Sequence, residues 1–93
     1  MDFEERARAV IGMEADSLQQ MASRVGPGFR EAVKLLRTSL EERGKVVIVG
    51  VGKSGNVGQK IAATLNSTGA TAVVLNAQDA LHGDLGLLCD GDV

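Results

Sequence analysis

The chain has 93 residues, a net charge of −2, one Cys, no Trp or Tyr and two Phe, which allows one small domain or a piece of a larger one and excludes two full domains. No stretch nears the roughly 20 apolar residues of a membrane span, and Met1-Asp2-Phe3-Glu4-Glu5-Arg6 lacks the basic and apolar regions of a secretory leader. A single Cys excludes an intramolecular disulfide, no Cys/His pairing fits a metal, and the slightly acidic balance gives no nucleic-acid footprint, so a cytoplasmic α/β chain without metal, nucleic acid or membrane partners is expected.

The first segment reads as a helix, with Phe3, Ala7, Val10, Ile11, Leu18, Met21, Ala22 and Val25 at helical spacing except for one skipped turn near Glu14. Gly26-Pro27-Gly28 breaks it, and Pro27 suits the first turn of the next helix. That second helix carries Phe29, Val33, Leu36 and Leu40 on one face, with Gly44 expected as its C-terminal cap. Residues 1–44 thus read as a helical hairpin whose apolar faces need a sheet or another subunit to cover them.

At Lys45 the pattern changes. Val46-Val47-Ile48-Val49 is an unbroken β-branched run, the signature of a parallel strand buried on both faces. Gly50-Val51-Gly52-Lys53-Ser54-Gly55 follows, then a helix expected from about Asn56 to Ser67, stopped by Gly69, and a second strand at 71–75. Strand, glycine-rich turn, helix and strand make one right-handed βαβ unit. Asp90-Gly91-Asp92 is a turn signal, and Val93 reads as the first residue of a further strand. The fold class is therefore α/β, the opening of a doubly wound parallel sheet. Two strands and the start of a third do not close such a sheet, so residues 1–93 are expected to be the front part of a larger domain.

The glycine turn favours an anion. Backbone N–H groups at a helix N-terminus lack intrahelical acceptors, and the helix dipole adds positive charge. Glycines let a ligand approach the backbone, Lys53 adds a cation and Ser54 a hydroxyl. Gly50, Gly52 and Gly55 match the dinucleotide pattern G-x-G-x-x-G, but Asn76 stands where that pattern wants an acidic residue. A Walker A loop fails because its first glycine would be Val47. A sugar-phosphate site at the strand ends and a ligand-free tight turn remain open beside the dinucleotide reading.

His82 is the sole His and is expected on the same sheet edge as Lys53 and Ser54, able to move protons near neutral pH. Gly83 frees the backbone beside it, and Asp84 either orients the imidazole or caps a short turn at 85–88. Ser67-Thr68-Gly69 is a polar cluster that also reads as a helix end. Cys89 has no visible base, and Lys45 and Lys60 read as solvated.

Taken in order, Gly44-Lys45-Val46-Val47, the turn at 50–55, Lys60-Ile61-Ala62-Ala63-Thr64, Ser67-Thr68-Gly69 and His82-Gly83-Asp84-Leu85-Gly86 resemble the N-terminal half of a sugar isomerase (SIS) domain of the arabinose 5-phosphate isomerase group. The Gly26-x-x-Phe29 start of the second helix is similar too. The resemblance implies interconversion of D-arabinose 5-phosphate and D-ribulose 5-phosphate through an enediol. That step feeds synthesis of Kdo, a lipopolysaccharide sugar, needs no redox cofactor, and belongs to proteins that assemble as homo-tetramers. It implies His82 and Lys53 as catalytic groups, and Gly52, Ser54, Gly55, Ser67, Thr68, Gly83 and Asp84 as substrate or phosphate contacts. The chain departs from the group before the histidine, with Asn76, Ala77 and Asp79 where His-Pro and a Glu are usual, and no Glu follows Glu42. An enediol step needs a base within about 3 Å of the carbon acid, so this chain alone is expected to be inactive. A non-catalytic SIS-type sugar-phosphate sensor and a dinucleotide-binding domain are the alternatives.

Overall fold

A computed structural model describes residues 2–77 and 84–93. The chain divides into two compact units, residues 1–31 and 32–93. Helix α1 (Phe3–Arg24) starts on a reciprocal cap: the Asp2 carboxylate accepts the Glu5 N–H at 2.7 Å, and the Glu5 carboxylate accepts the Asp2 N–H at 3.2 Å. The cap fixes the start, and the helix runs unbroken through the turn near Glu14 where the apolar pattern skips. No residue of α1 is buried; Ile11, Met13 and Leu18 stand more than half exposed. Helix α2 (Pro27–Glu41) begins at Pro27, as the missing proline N–H permits.

The second unit holds the end of α2, strand β1 (Val46–Gly50), helix α3 (Lys53–Ser67), strand β2 (Ala72–Asn76) and a 3-10 turn, Asp84–Leu87. Strands β1 and β2 are parallel, in a register running from Val46↔Ala72 to Gly50↔Asn76. The expected βαβ unit is therefore present. The core is Val46, Ala62 and Ala72, with Leu36 and Leu40 of α2, Ile48, Leu65 and Val74 packed on it. The even-numbered residues of β1 turn toward α3. Val49, of opposite parity, is 57% exposed, so burial on both faces is not met by the described residues.

Val93 joins β1 on the edge away from β2. Its N–H donates to the Lys45 carbonyl at 3.1 Å, and its own carbonyl accepts the Val47 N–H at 2.7 Å, the alternation of a parallel ladder. Val93 thus begins strand pairing as expected, and β1 lies between β2 and this new edge. In open α/β sheets a strand flanked this way marks the crevice where ligands bind.

Two expectations are corrected at the entry to β1. Arg43, with φ 65°, takes the left-handed position after α2 in place of Gly44. The Gly44 N–H reaches back to the Ser39 carbonyl at 2.7 Å and the Arg43 N–H to Leu40 at 3.2 Å, which shifts the cap by one residue. Gly44 is needed for closeness instead, since a Cβ there would meet the Gly91 carbonyl and the Ser39 hydroxyl. Lys45 is not solvated: its side chain is 19% exposed and its ammonium sits 2.6 Å from Asp92, itself 9% exposed. Asp92 also accepts the backbone N–H groups of Lys45 and Cys89, at 3.0 and 2.8 Å, and the buried Ser39 hydroxyl donates to the Gly91 carbonyl at 2.6 Å. This clasp ties the end of α2, the start of β1 and the Val93 edge together.

The Lys45 ammonium foremost, then the two backbone N–H groups, hold the Asp92 carboxyl down at about 2 from 3.8. The same hydrogen bond raises Lys45. A depressed carboxyl stabilises the fold above its unfolded value and loses that contribution as pH falls through the folded value. The raised lysine contributes below its ordinary value and loses it as pH rises through the folded one. Asp92→Asn is expected to lower the urea midpoint at neutral pH, with the gap to wild type closing between pH 3.8 and about 2. Urea melts across that range check it; a constant gap would show that the carboxylate charge is not what the clasp uses.

Candidate functional site

The turn between β1 and α3 places the site. Helix α3 starts at Lys53, three residues before the expected Asn56, so Lys53, Ser54 and Gly55 form its first turn. The early start is set by Gly52, whose φ of 60° and ψ of −127° suit glycine alone and reverse the chain out of the strand. A Cβ on Gly52 would meet nothing within 4 Å, so the space over it is open. Gly50 differs: a Cβ there would lie 2.9 Å from the Gly55 nitrogen and 3.0 Å from its Cα. One glycine is thus held by packing and the other faces free space.

Gly52 caps α3 with no side-chain hydrogen bond. The first N–H groups of the helix are therefore left for an external acceptor, in the field of the helix dipole. Beside them, at the C-terminal ends of both strands, lies a cavity of about 380 Å³ lined by Gly50, Gly52, Gly55, Asn56, Gln59, Val74 and Asn76. Lys53 and Ser54 line a neighbouring groove of about 370 Å³ with Ile48, Val57, Gly58 and Ile61. The turn thus brings Gly52 and Gly55 into one cavity and sets Lys53 and Ser54 at the adjoining one.

Ser67 and Thr68 are placed at the other end of α3, about 20 Å along the helix. The Ser67 hydroxyl donates to the Thr64 carbonyl at 2.7 Å, and the Thr68 hydroxyl to the Thr64 and Leu65 carbonyls at 3.2 and 2.9 Å. Gly69, at φ 90°, completes that helix end. Within this chain these two hydroxyls are not brought together with the glycine turn. His82 and Gly83 lie outside the described residues, as does the side chain of Asp84, whose backbone opens the 3-10 turn. Cys89 is exposed. Among the described residues no group of three His, Cys, Asp or Glu could hold a metal, and no helix is long and apolar enough to cross a membrane.

Sequence reasoning passed over Asn56 and Gln59. They stand at i and i+3 on α3, a spacing that shares a helix face. With the helix expected to begin at about Asn56, the reading followed the apolar face of Val57, Ile61 and Leu65 and left the face of Asn56 and Gln59 unmarked. Asn66 was missed too: its side-chain amide bonds both the N–H and the carbonyl of Ala72 at 2.9 Å, fixing the start of β2 against the last turn of α3.

A βαβ unit with an uncapped, glycine-opened helix start at the strand ends defines the opening of a parallel α/β sheet with a turn suited to an anion. No family model matches the chain. Over its full length the chain is 44% identical to arabinose 5-phosphate isomerase KdsD of Pseudomonas aeruginosa, and over 92% of it 42% identical to arabinose 5-phosphate isomerase GutQ of Escherichia coli K12. Among solved structures it resembles an Escherichia coli CFT073 protein in complex with arabinose 5-phosphate, at 32% identity and a TM-score of 0.75 over the whole chain. It also resembles a candidate phosphosugar isomerase involved in capsule formation from Bacteroides fragilis NCTC 9343, at 35% identity and a TM-score of 0.71 over 89% of the chain. The chain spans 28% and 26% of the two curated relatives and 50% and 46% of the two solved chains. Over the part of their length that it spans, the chain is similar to arabinose 5-phosphate isomerases and to solved phosphosugar isomerases.

Proposed function

We propose that the chain is the front part of a cytoplasmic aldose-ketose isomerase that interconverts D-arabinose 5-phosphate and D-ribulose 5-phosphate, the step that supplies Kdo for lipopolysaccharide. The observation that carries this reading is the uncapped start of α3 beside the open face of Gly52, in a chain whose whole length aligns with a solved protein holding arabinose 5-phosphate. Gly52 and Gly55 let the phosphate or a sugar hydroxyl reach the backbone N–H groups. The Ser54 hydroxyl donates to the phosphate or a sugar hydroxyl, and Lys53 offsets negative charge as it develops on the enediol. His82 serves in ring opening or in proton transfer between C1 and C2. Gly83 and Asp84 shape its approach, and Ser67 and Thr68, about 20 Å away along α3, close the helix end instead of meeting this substrate.

The parts divide as a helical hairpin at 1–44 and the start of the parallel sheet at 45–93. The base that abstracts the carbon-bound proton is supplied by a segment beyond these residues, since no Glu follows Glu42. The exposed apolar stripe of α1, with a groove lined by Val10, Met13, Leu18 and Met21, is covered by a second copy in a homo-oligomer.

One pair of assays tests this function. The chain alone is expected to give no ketose from arabinose 5-phosphate. The same chain replacing the matched 93 residues of the Pseudomonas aeruginosa isomerase is expected to restore turnover. Turnover by the chain alone would show that it holds its own base; a folded but inactive chimera would contradict the isomerase reading.

A further inference from the structure

Val93 stands level with Val46, because its N–H donates to the Lys45 carbonyl and its carbonyl accepts the Val47 N–H. The strand residues themselves do little to fix that register. Val46, Val47, Ile48 and Val49 are all apolar, so sliding a partner strand by one residue exchanges one apolar neighbour for another on either face. A polar lock stands one residue before the pairing starts. Asp92 Oδ2 takes the Lys45 ammonium at 2.6 Å and Oδ1 takes the Lys45 backbone N–H at 3.0 Å, so the residue that opens β1 is held at both its ends. The Ser39 hydroxyl, from α2, holds the neighbouring Gly91 carbonyl at 2.6 Å. A slip of one residue is a shift of about 3.3 Å, which parts the Lys45 and Ser39 bonds at once.

Burial decides what the ion pair is for. With side chains 19% and 9% exposed, both ions have given up most of their water, which offsets much of their attraction; the best-attested use of such a pair is to fix register. The other neighbour of β1 carries a lock too, since the Asn66 amide bonds both backbone groups of Ala72 at the start of β2. Both locks stand at the N-terminal ends of the strands, away from the glycine turn. A strand carries its register along its length, so one continuing from Val93 comes level with Gly50 four residues on.

We infer that Lys45 and Asp92 are positioning residues for the reaction: their ion pair locks the register of the strand begun at Val93, and through it the height at which the chain leaving that strand faces the turn at 50–55. The inference rests on the reading of this chain as the front part of an isomerase and adds a pair that touches no substrate. Loss of the lock lets that strand slip, and a misplacement of about 1 Å already costs on the order of 10²-fold in rate.

The test uses the chimera with the Pseudomonas aeruginosa isomerase. Asp92→Asn and Lys45→Met each remove the charge pairing at near-constant bulk. Each is expected to lower kcat at least about tenfold at temperatures where the protein stays folded. Alternate amides of β1 read its two edges separately: Val47 donates to Val93, and Val46 donates to the Thr71 carbonyl at 2.9 Å. Hydrogen exchange at Val47 is expected to quicken in both variants while Val46 stays protected. Lys45→Arg keeps the cation and is expected to keep most of the turnover. Should Asp92→Asn fail to fold, Lys45→Met and Lys45→Arg carry the same comparison. Unchanged kcat in the charge-removing variants, or Val46 and Val47 losing protection together as in a general loosening, would overturn the inference. A chimera that folds but turns nothing over contradicts the isomerase reading instead, and Val47 exchange against Val46 still decides the lock.

Discussion

Gly50→Ala is expected to lower the unfolding midpoint by roughly 10–20 °C, which corresponds to about 2–3 kcal/mol in a chain of this size. The added Cβ would meet backbone, 2.9 Å from the Gly55 nitrogen and 3.0 Å from both the Gly55 Cα and the Ser54 carbonyl carbon. Backbone in the first turn of a helix cannot rotate away as a side chain can, so α3 must lift off β1. Gly58→Ala provides the comparison. Its Cβ would lie 2.8 Å from the Ile48 Cγ2 methyl, a single side-chain atom, and the substitution recovers about 1 kcal/mol of helix propensity. The Cγ2 methyl is fixed to a β-branched Cβ and gives way only with a χ1 change, so Gly58→Ala is expected to cost stability too, but less than Gly50→Ala. Thermal melts of the two variants check the ordering, and a Gly58→Ala protein less stable than Gly50→Ala would show that the Gly50–Gly55 contact does not seat the helix.

Gly52→Val has the second large effect, on binding. Its backbone lies where a β-branched residue costs on the order of 1–3 kcal/mol, and the space above it is open. The valine side chain would project beside the uncapped N–H groups of α3 and shut out an anion. Sugar-phosphate affinity is expected to fall at least about tenfold, the upper end of what one lost hydrogen bond explains. Gly50 and Gly52, two positions apart in the same motif, thus separate a packing role from a binding role.

Much of the fold is legible in the residues. The β-branched run at 46–49 and the glycines after it fix strand and turn, and Asp90-Gly91-Asp92 before Val93 announces the next pairing. The start of α3 is not legible, because Gly52, Ser54 and Gly55 are poor evidence for a helix, and the positive φ of Gly52 that begins it at Lys53 leaves no pattern in the sequence. The cap of α2 misleads for a similar reason. Gly44 is the natural left-handed residue, but its freedom from a Cβ is taken by the approach of Gly91, and Arg43 adopts the positive φ instead. Lys45 reads as solvated until Asp92, 47 positions on, folds back to it. Long-range pairing of this kind leaves no local pattern. Of the site, the glycine turn is legible from its spacing. The amide face of Asn56 and Gln59 emerges only once the helix start is known.

Calorimetric titration of the chain with arabinose 5-phosphate, with NAD as the competing ligand and Gly52→Val as the control, tests most directly whether the turn at 50–55 is a sugar-phosphate site. Heat of binding from arabinose 5-phosphate, none from NAD, and loss of the signal in Gly52→Val are the predicted result. Binding of NAD in preference to the sugar phosphate, or sugar-phosphate binding untouched by Gly52→Val, would contradict it.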